Sequence, residues 1–154
     1  MKIVFHLEFL KSSRKSSQAF KSSAAFELFD DYRGRIDRYM ECDVASSLEQ
    51  SAKILTPQDE IWICDRAERA KISSSEAIAE RLQNSLLQTP KNLRIVIGGP
   101  DGFSEKFFKI HPKIFRWSFG PMTLPHELAA VVASEQLYRA FTIIKKEPYH
   151  LGHK

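Results

Sequence analysis

The chain has 154 residues, 43% of them hydrophobic and 27% charged, and its formal net charge at pH 7 is +4. This length and composition predict one globular domain, residues 1–154, with a single core. No run approaches the roughly 20 apolar residues that cross a bilayer, and the N-terminus has neither the apolar segment nor the cleavage site of a signal peptide. We therefore expect a cytoplasmic protein with no membrane partner.

Strand-like and helix-like patterns alternate through the first half of the chain. Alternating apolar residues predict a strand over Lys2–Phe9, and mixed helical spacing predicts a helix from Ser17 to about Gly34. A short, weak strand is expected over Arg38–Val44 and a brief helix over Ser46–Leu55. The continuous apolar run in Glu60–Asp65 is typical of a buried strand.

The alternation continues in the second half. Ser73 and Glu76 have the spacing of a capping box, which predicts a helix that ends before Pro90. The remaining predicted elements are a strand, a short helix, a second strand and a long final helix, over Leu93–Ile97, Ser104–His111, Lys113–Phe119 and from Pro125 to about Ile144. The hydroxyl of Thr123 is a candidate cap for the final helix.

This order of elements predicts an α/β fold, with a mostly parallel sheet covered by helices on both faces. In such folds ligands bind outside the carboxyl ends of the strands. Three loops leave strand ends of this kind, after Cys64, after Ile97 and after Phe119. We expect the chemistry where these three loops meet.

The loop after Ile97 contains the turn Gly98-Gly99-Pro100-Asp101-Gly102. Its glycines have neither dinucleotide-binding spacing nor the Gly-Lys-Ser/Thr of a P-loop. Two interpretations remain open: a ligand loop that needs close backbone approach, or a tight turn between a strand and a helix. Asp65 and Asp101 leave a similar choice open, since either could bind a ligand or cap the following segment.

Other polar residues have ordinary explanations. Cys42 and Cys64 lack metal or redox spacing and are expected to be buried thiols, and the five histidines have no metal spacing. Glu135 and Arg139 lie four residues apart on the final helix, so they can form an ion pair. Basic clusters, at Arg33, Arg35 and Arg38 and at Lys145 and Lys146, are compatible with phosphate contact and also with plain solvation.

Five motifs then occur in one order along the chain. They are Ile97–Ser104, Trp117-Ser118, Met122–His126, Glu135–Ala140 and Pro148-Tyr149-His150. In this order and spacing they resemble the SPOUT-class methyltransferases that modify pseudouridine in large-subunit ribosomal RNA, the large-subunit methyltransferase H family. The resemblance is strong from about Glu60 to His150 and only topological from Met1 to Pro57.

The resemblance implies a C-terminal trefoil knot, a homodimer and S-adenosylmethionine held bent within the knot loops. It also implies methyl transfer to N3 of a pseudouridine in large-subunit ribosomal RNA or the assembled ribosome, with no DNA partner. The implied cofactor contacts are Cys64, Asp65, Gly99, Gly120, Pro121, Met122, Thr123, Leu124 and Pro125.

The residues that the resemblance brings near the substrate are Arg139, Tyr149 and His150. In this interpretation Arg139 stabilises the developing imide oxyanion, and His150 or a water it holds accepts the proton. The C-terminal tail is expected to complete the pocket of the partner subunit.

Two alternatives stay open at the level of sequence. One keeps the fold and cofactor but methylates another RNA base, because loop bases are recognised by shape and a few edge contacts. The other is a ribosome-binding homologue with lost or weakened catalysis. It is suggested by the short segment Val44–Gln58, which has few basic residues. Gly120-Pro121, where the family has a small, serine-containing pair, could alter cofactor affinity.

Overall fold

A computed structural model describes residues 1–10, 15–48, 55–64, 71–98, 109 and 114–151. Within these ranges six strands are present: β1 (Lys2–Leu7), β2 (Cys42–Ala45), β3 (Glu60–Cys64), β4 (Lys71–Ile72), β5 (Asn92–Ile97) and β6 (Phe115–Ser118). The three α-helices are α1 (Ser23–Asp37), α2 (Ser75–Gln88) and α3 (His126–Ile144), and a 3-10 turn covers Ser16–Ala19. The long final helix therefore has the extent that the sequence predicts.

The strands form one sheet in the order β2-β1-β5-β3-β6-β4, and every neighbouring pair is parallel. Helix α1 lies between β1 and β2 in the chain, as the pairing of these parallel neighbours requires. The predicted parallel α/β fold is thus confirmed. None of the helices among the described residues is long and apolar enough to cross a membrane.

One face of the sheet holds the main core. Alternate residues of the central strands point to this face, and α3 packs against both α1 and α2 above it. Its largest fully buried side chains include Trp62 and Trp117, whose rings meet edge to face at 5.7 Å. The three described α-helices therefore share this apolar layer.

The opposite face carries a smaller apolar cluster made by Leu48, Ile61, Ile63 and Val96. The helices predicted over 46–55 and 104–111 fall largely outside the described residues, which include only Lys109 of the second. The loops after Cys64 and Gly98 fall outside them as well, so the trefoil knot stays a prediction.

Several predicted boundaries were wrong by a few residues. Helix α1 begins at Ser23, capped by the Ser22 hydroxyl, and continues through Gly34 to Asp37. The helix tolerates this glycine, at a cost of about 1 kcal/mol relative to alanine, because the next turn buries Ile36 completely. The strand predicted over Arg38–Val44 occupies only Cys42–Ala45.

Both predicted helix caps are also corrected. Ser74, not Ser73, is the N-cap of α2, since its extended backbone lets its hydroxyl accept a hydrogen bond from the Ala77 amide. At α3 the N-cap is Pro125 and no side chain caps the helix, so Thr123 does not have the predicted role.

The two cysteines lie in different environments. Cys42 is buried, and burial raises the pKa of its thiol to about 12. Cys64 is only half-buried at the end of β3, so the expectation of a buried thiol holds for Cys42 alone.

Candidate functional site

The carboxyl ends of β5, β3 and β6 are adjacent at one edge of the sheet. The register pairs Ile63 with Val96 and Cys64 with Trp117, so the chain leaves these three strands at the same level. The strand ends from which the three predicted loops leave are therefore neighbours. Of the predicted cofactor residues, Asp65 and Gly99 lie outside the described residues, as does Asp101.

Gly98 closes β5 with a backbone that only glycine adopts readily. Its φ is +118°, and a Cβ at this position would lie 3.0 Å from the Cβ of Glu8, which follows β1. The Glu8 amide donates a hydrogen bond to the Ile97 carbonyl at 2.8 Å. Close approach of two backbone segments is thus sufficient to explain Gly98.

The loop after β6 is a compact, accessible turn. The Ser118 hydroxyl accepts from the Gly120 amide and donates to the Gly120 carbonyl, both at 3.1 Å. Gly120 has φ +114° and no atom within 4 Å of where a Cβ would stand. Pro121, Met122 and Thr123 are exposed, with Met122 at 76%. The turn therefore offers backbone polar groups and a free apolar side chain together.

The residues that begin α3 hold this turn against the segment between β1 and α1. The His126 ring stacks on Phe9 with ring centroids 5.8 Å apart. The next residue, Glu127, accepts a hydrogen bond from the Ser22 amide at 2.9 Å. These contacts give the Met122–His126 motif a structural role beside any role in binding.

A second group of polar side chains surrounds Arg139, farther along α3. The Arg139 guanidinium donates from Nε and Nη2 to Oε1 of Glu135, at 3.0 and 2.8 Å. The Tyr149 hydroxyl donates to the same oxygen at 3.0 Å, and its ring lies 4.9 Å from the guanidinium carbon. The predicted ion pair is present, and it belongs to a larger network.

His150 completes this network from the C-terminal segment. Its Nδ1 lies 2.9 Å from Nη1 of Arg139, and its Nε2 lies 2.8 Å from Oε1 of Glu76 in the first turn of α2. The three predicted substrate residues, Arg139, Tyr149 and His150, are therefore brought into mutual contact. Sequence reasoning assigned Glu76 only to helix capping.

The network also returns to α2 through neighbouring residues. The Ser75 hydroxyl donates to the Gln136 side-chain oxygen at 2.6 Å, and the Gln136 amide donates to Glu135 at 2.7 Å. Ser75 and Gln136 were missed by the sequence interpretation. Gln136 stands inside the Glu135–Ala140 motif, which is the one signal that could have indicated it.

The protonation of two members is set by their surroundings. Burial and the hydrogen bond to Glu135 raise the pKa of Tyr149, so its phenol stays protonated at neutral pH and acts as a donor. Burial alone would lower the pKa of Arg139, but the hydrogen bond and charge of Glu135 outweigh it and the pKa is raised. The site therefore carries a permanent cation.

The two groups of residues lie far apart within one chain. Arg139 follows His126, the first residue of α3, by thirteen positions, which correspond to about 20 Å at the rise of an α-helix. The turn after β6 precedes His126, so it lies at the other end of the same helix from the Arg139 network. Within one chain, this helix therefore keeps the glycine turn and the Arg139 network apart.

The parallel sheet has an accessible glycine turn at its carboxyl edge, and the last helix carries a cationic hydrogen-bond network. Together they define an α/β protein with a candidate catalytic site. The family model described as "Predicted SPOUT methyltransferase" matches residues 16–150. The chain therefore belongs to the SPOUT methyltransferase family. The match extends well into the N-terminal part, where the sequence resemblance is only topological.

Individual relatives also match most of the chain. Proteins named ribosomal RNA large subunit methyltransferase H from Flavobacterium psychrophilum and Magnetococcus marinus are 36% and 34% identical to the chain, over 142 and 143 residues. Each alignment covers 80% of this chain and 87% of the relative. The protein of the same name from Psychrobacter sp. is 36% identical over 118 residues, covering 73% of this chain and 70% of the relative.

Proposed function

We propose that this protein transfers a methyl group from S-adenosylmethionine to N3 of a pseudouridine in large-subunit ribosomal RNA, as a homodimer in the cytoplasm. Membership of the SPOUT methyltransferase family and the names of its relatives support the reaction class and the RNA. The observation that carries the choice of base is the contact between Arg139 and His150, 2.9 Å long.

The residues of the β6–α3 turn fit an adenosine-type cofactor. The Gly120 backbone has free space beside it, and the exposed Met122 offers apolar surface to a flat ring. We propose that Gly120, Pro121, Met122, Thr123, Leu124 and Pro125 hold S-adenosylmethionine together with Cys64, Asp65 and Gly99. When bound, the cofactor supplies a methyl group on a positively charged sulfur, which is an electrophile.

The nucleophile must be prepared by the protein's own residues. Arg139 only donates hydrogen bonds, so the His150 Nδ1 that faces it accepts one. The pair therefore presents a donor next to an acceptor. An imide edge presents the complement, a carbonyl oxygen beside an N–H, and can replace the internal hydrogen bond with two of its own.

In that arrangement each residue has a defined task. The Arg139 Nη1 donates to the imide oxygen, where negative charge develops as the ring nitrogen is deprotonated. His150 Nδ1 would accept the N3 proton, which leaves the ring nitrogen able to take the methyl group that the bound cofactor would supply. Tyr149 stays protonated and holds Glu135, so it orients Arg139 rather than acting as the base.

A second copy of the chain brings the two halves of the site together in this proposal. The cofactor turn and Arg139 lie at opposite ends of α3, about 20 Å apart. The turn and the start of α3 expose apolar side chains, with Met122 at 76% and Leu128 at 49% exposure. A symmetric dimer that buries them can place the His150 of one subunit beside the cofactor of the other.

Ribosomal RNA would meet exposed basic residues near the end of α3. Lys145 and Lys146 are exposed, and Arg38 is exposed at the end of α1. Arg33 is less available, since it donates to the Cys42 carbonyl at 2.9 Å and pairs with Asp30. We propose that Arg38, Lys145 and Lys146 contact phosphates.

The decisive test is mass mapping of modified nucleosides in large-subunit RNA from cells with and without this protein. Loss of one N3-methylated pseudouridine is the expected result. Loss of a different methylated base supports the second candidate, the same reaction on another imide base such as uridine. An unchanged RNA, together with no S-adenosylmethionine binding by calorimetry, would support a ribosome-binding homologue without catalysis.

A further inference from the structure

We infer that Glu76 is a positioning residue for the reaction, forming a carboxylate–histidine pair that fixes the tautomer of His150 and stabilises its protonated form. The inference rests on the proposed function, in which His150 is the base. It adds a residue from α2, an element that the family resemblance does not connect with catalysis. The supporting geometry is the contact of 2.8 Å between Glu76 Oε1 and His150 Nε2.

The two partners of His150 determine where its single proton lies. The Arg139 guanidinium has only N–H groups, so Nδ1 facing it must carry a lone pair. The ionised Glu76 carboxylate has only acceptor oxygens, so Nε2 must carry the hydrogen. His150 is thus held as the neutral Nε2–H tautomer, with the basic nitrogen directed toward the Arg139 side, where the imide is expected.

The position of Glu76 is set by residues on both sides of it in sequence. Ser74 caps α2, and Ser75 donates to Gln136 on α3 at 2.6 Å. Gln136 in turn contacts Glu135, which holds Arg139. The first turn of α2 therefore supports the two substrate-facing groups separately, Arg139 through Ser75 and His150 through Glu76.

Three charged or titratable groups surround His150 among the described residues. Glu76 approaches from α2, Arg139 from α3, and Tyr149 precedes His150 in the C-terminal segment. When Nδ1 takes the substrate proton, the ring becomes a cation between an arginine and a carboxylate. Glu76 is the group that offsets the repulsion from Arg139, and the hydrogen bond from His150 helps to keep the pKa of Glu76 low.

The expected effect is modest because the Glu76 side chain is 67% exposed. Exposed ion pairs contribute little because water screens their charges, so an effect of about fivefold on the rate is expected. We expect Glu76→Gln to lower kcat about fivefold with little change in the KM for S-adenosylmethionine.

The matched control is Glu80→Gln, the same change one turn later on the exposed side of α2. Long-range proton–nitrogen NMR spectra of the histidine rings supply a readout that needs no activity, with the His150 signals assigned by their absence in His150→Gln. Wild type and Glu80→Gln should show the pure Nε2–H pattern. Glu76→Ala should show a mixture of tautomers, because without its carboxylate partner the ring can rotate away from Arg139 and Nδ1 can then carry the hydrogen.

The inference is overturned if the His150 spectra of Glu76→Ala and Glu80→Gln coincide. It is also overturned if the spectra differ while the kcat of Glu76→Gln matches that of an active wild type. A wild-type protein that transfers no methyl group would instead reject the proposed function, and the NMR comparison would then test the Glu76–His150 pair by itself.

Discussion

Glu135 binds Arg139 through a single oxygen. Oε1 accepts hydrogen bonds from both Nε and Nη2 of the guanidinium, which leaves Nη1 directed at His150. The two residues are one helical turn apart, and both side chains are mostly buried, at 17% exposure for Arg139 and 18% for Glu135. The pair therefore fixes a cation in a defined orientation rather than serving as a solvated ion pair.

Replacing this guanidinium should remove transition-state stabilisation. Arg139→Lys keeps the charge but replaces the planar fork of three nitrogens with a single nitrogen, which cannot hold Glu135 and present a separate nitrogen to the substrate. We expect kcat to fall by about 100-fold, the usual effect of losing one oxyanion donor, while S-adenosylmethionine affinity by calorimetry stays near wild type. A variant with wild-type turnover would remove Arg139 from the chemistry.

If two chains share each active site, two inactive variants should complement each other. His150→Ala removes the base, and Gly120→Val strains the cofactor turn, because valine is disfavoured at φ +114°. After joint unfolding and refolding, a mixture should regain up to about a quarter of wild-type activity, since half of the symmetric dimers are mixed and each has one intact site. No recovery, with both variants folded and dimeric, would indicate a site within one chain.

His6 should make the protein less stable in acid. It is fully buried, its Nδ1 contacts the Ser46 carbonyl at 2.9 Å, and its Nε2 lies 3.0 Å from Nη1 of Arg94. Burial, assisted by the Arg94 charge, lowers the pKa of His6 from 6.5 to about 4.

Because this pKa is lower in the folded state, the unfolded chain binds more protons between about pH 6.5 and 4. The free energy of unfolding should therefore be greatest above pH 6.5 and fall as the pH decreases, by about 3 kcal/mol from this group. Urea unfolding at a series of pH values measures the slope. His6→Gln should be less stable at pH 7 but have a shallower slope, and an equal slope would contradict the assignment.

Two glycine substitutions should have opposite effects on stability. Gly98→Ala puts a side chain at φ +118°, 3.0 Å from Glu8, and should lower the free energy of unfolding by about 1–3 kcal/mol. Gly34→Ala lies within α1 with no atom within 4 Å of the added Cβ, and should raise it by about 0.5–1 kcal/mol. Denaturant unfolding of both variants gives the comparison directly.

Ribosome binding should report the proposed phosphate contacts. Changing Lys145 and Lys146 to Gln should make the plot of log affinity against log salt shallower by about 1 to 2, since each phosphate contact contributes roughly 0.7–0.9. Arg33→Gln should instead act mainly on stability, because Arg33 holds the Cys42 carbonyl. An unchanged salt dependence in the double lysine variant would remove these residues from the RNA interface.

Periodicity and turn residues were enough to predict the sheet and the final helix. The apolar runs of β3 and β5 are buried on both faces, and the helical spacing of apolar residues in α3 ends where the helix ends. Helix starts were less predictable. Ser73 and Ser74 are equivalent in a pattern, and only the extended backbone of Ser74 decides which hydroxyl reaches the free amides of α2.

By itself the sequence determined the parallel α/β fold, the loops at the carboxyl edge of the sheet and the motifs that carry Glu135, Arg139, Tyr149 and His150. These features depend on the order and spacing of residues along the chain, which can be read directly from the sequence. Only the tertiary structure brought Glu76 to His150, 74 residues away in sequence, and Ser75 to Gln136. Such contacts are made when α2 packs on α3, and their distances depend on how two separate helices meet rather than on the residues next to either one.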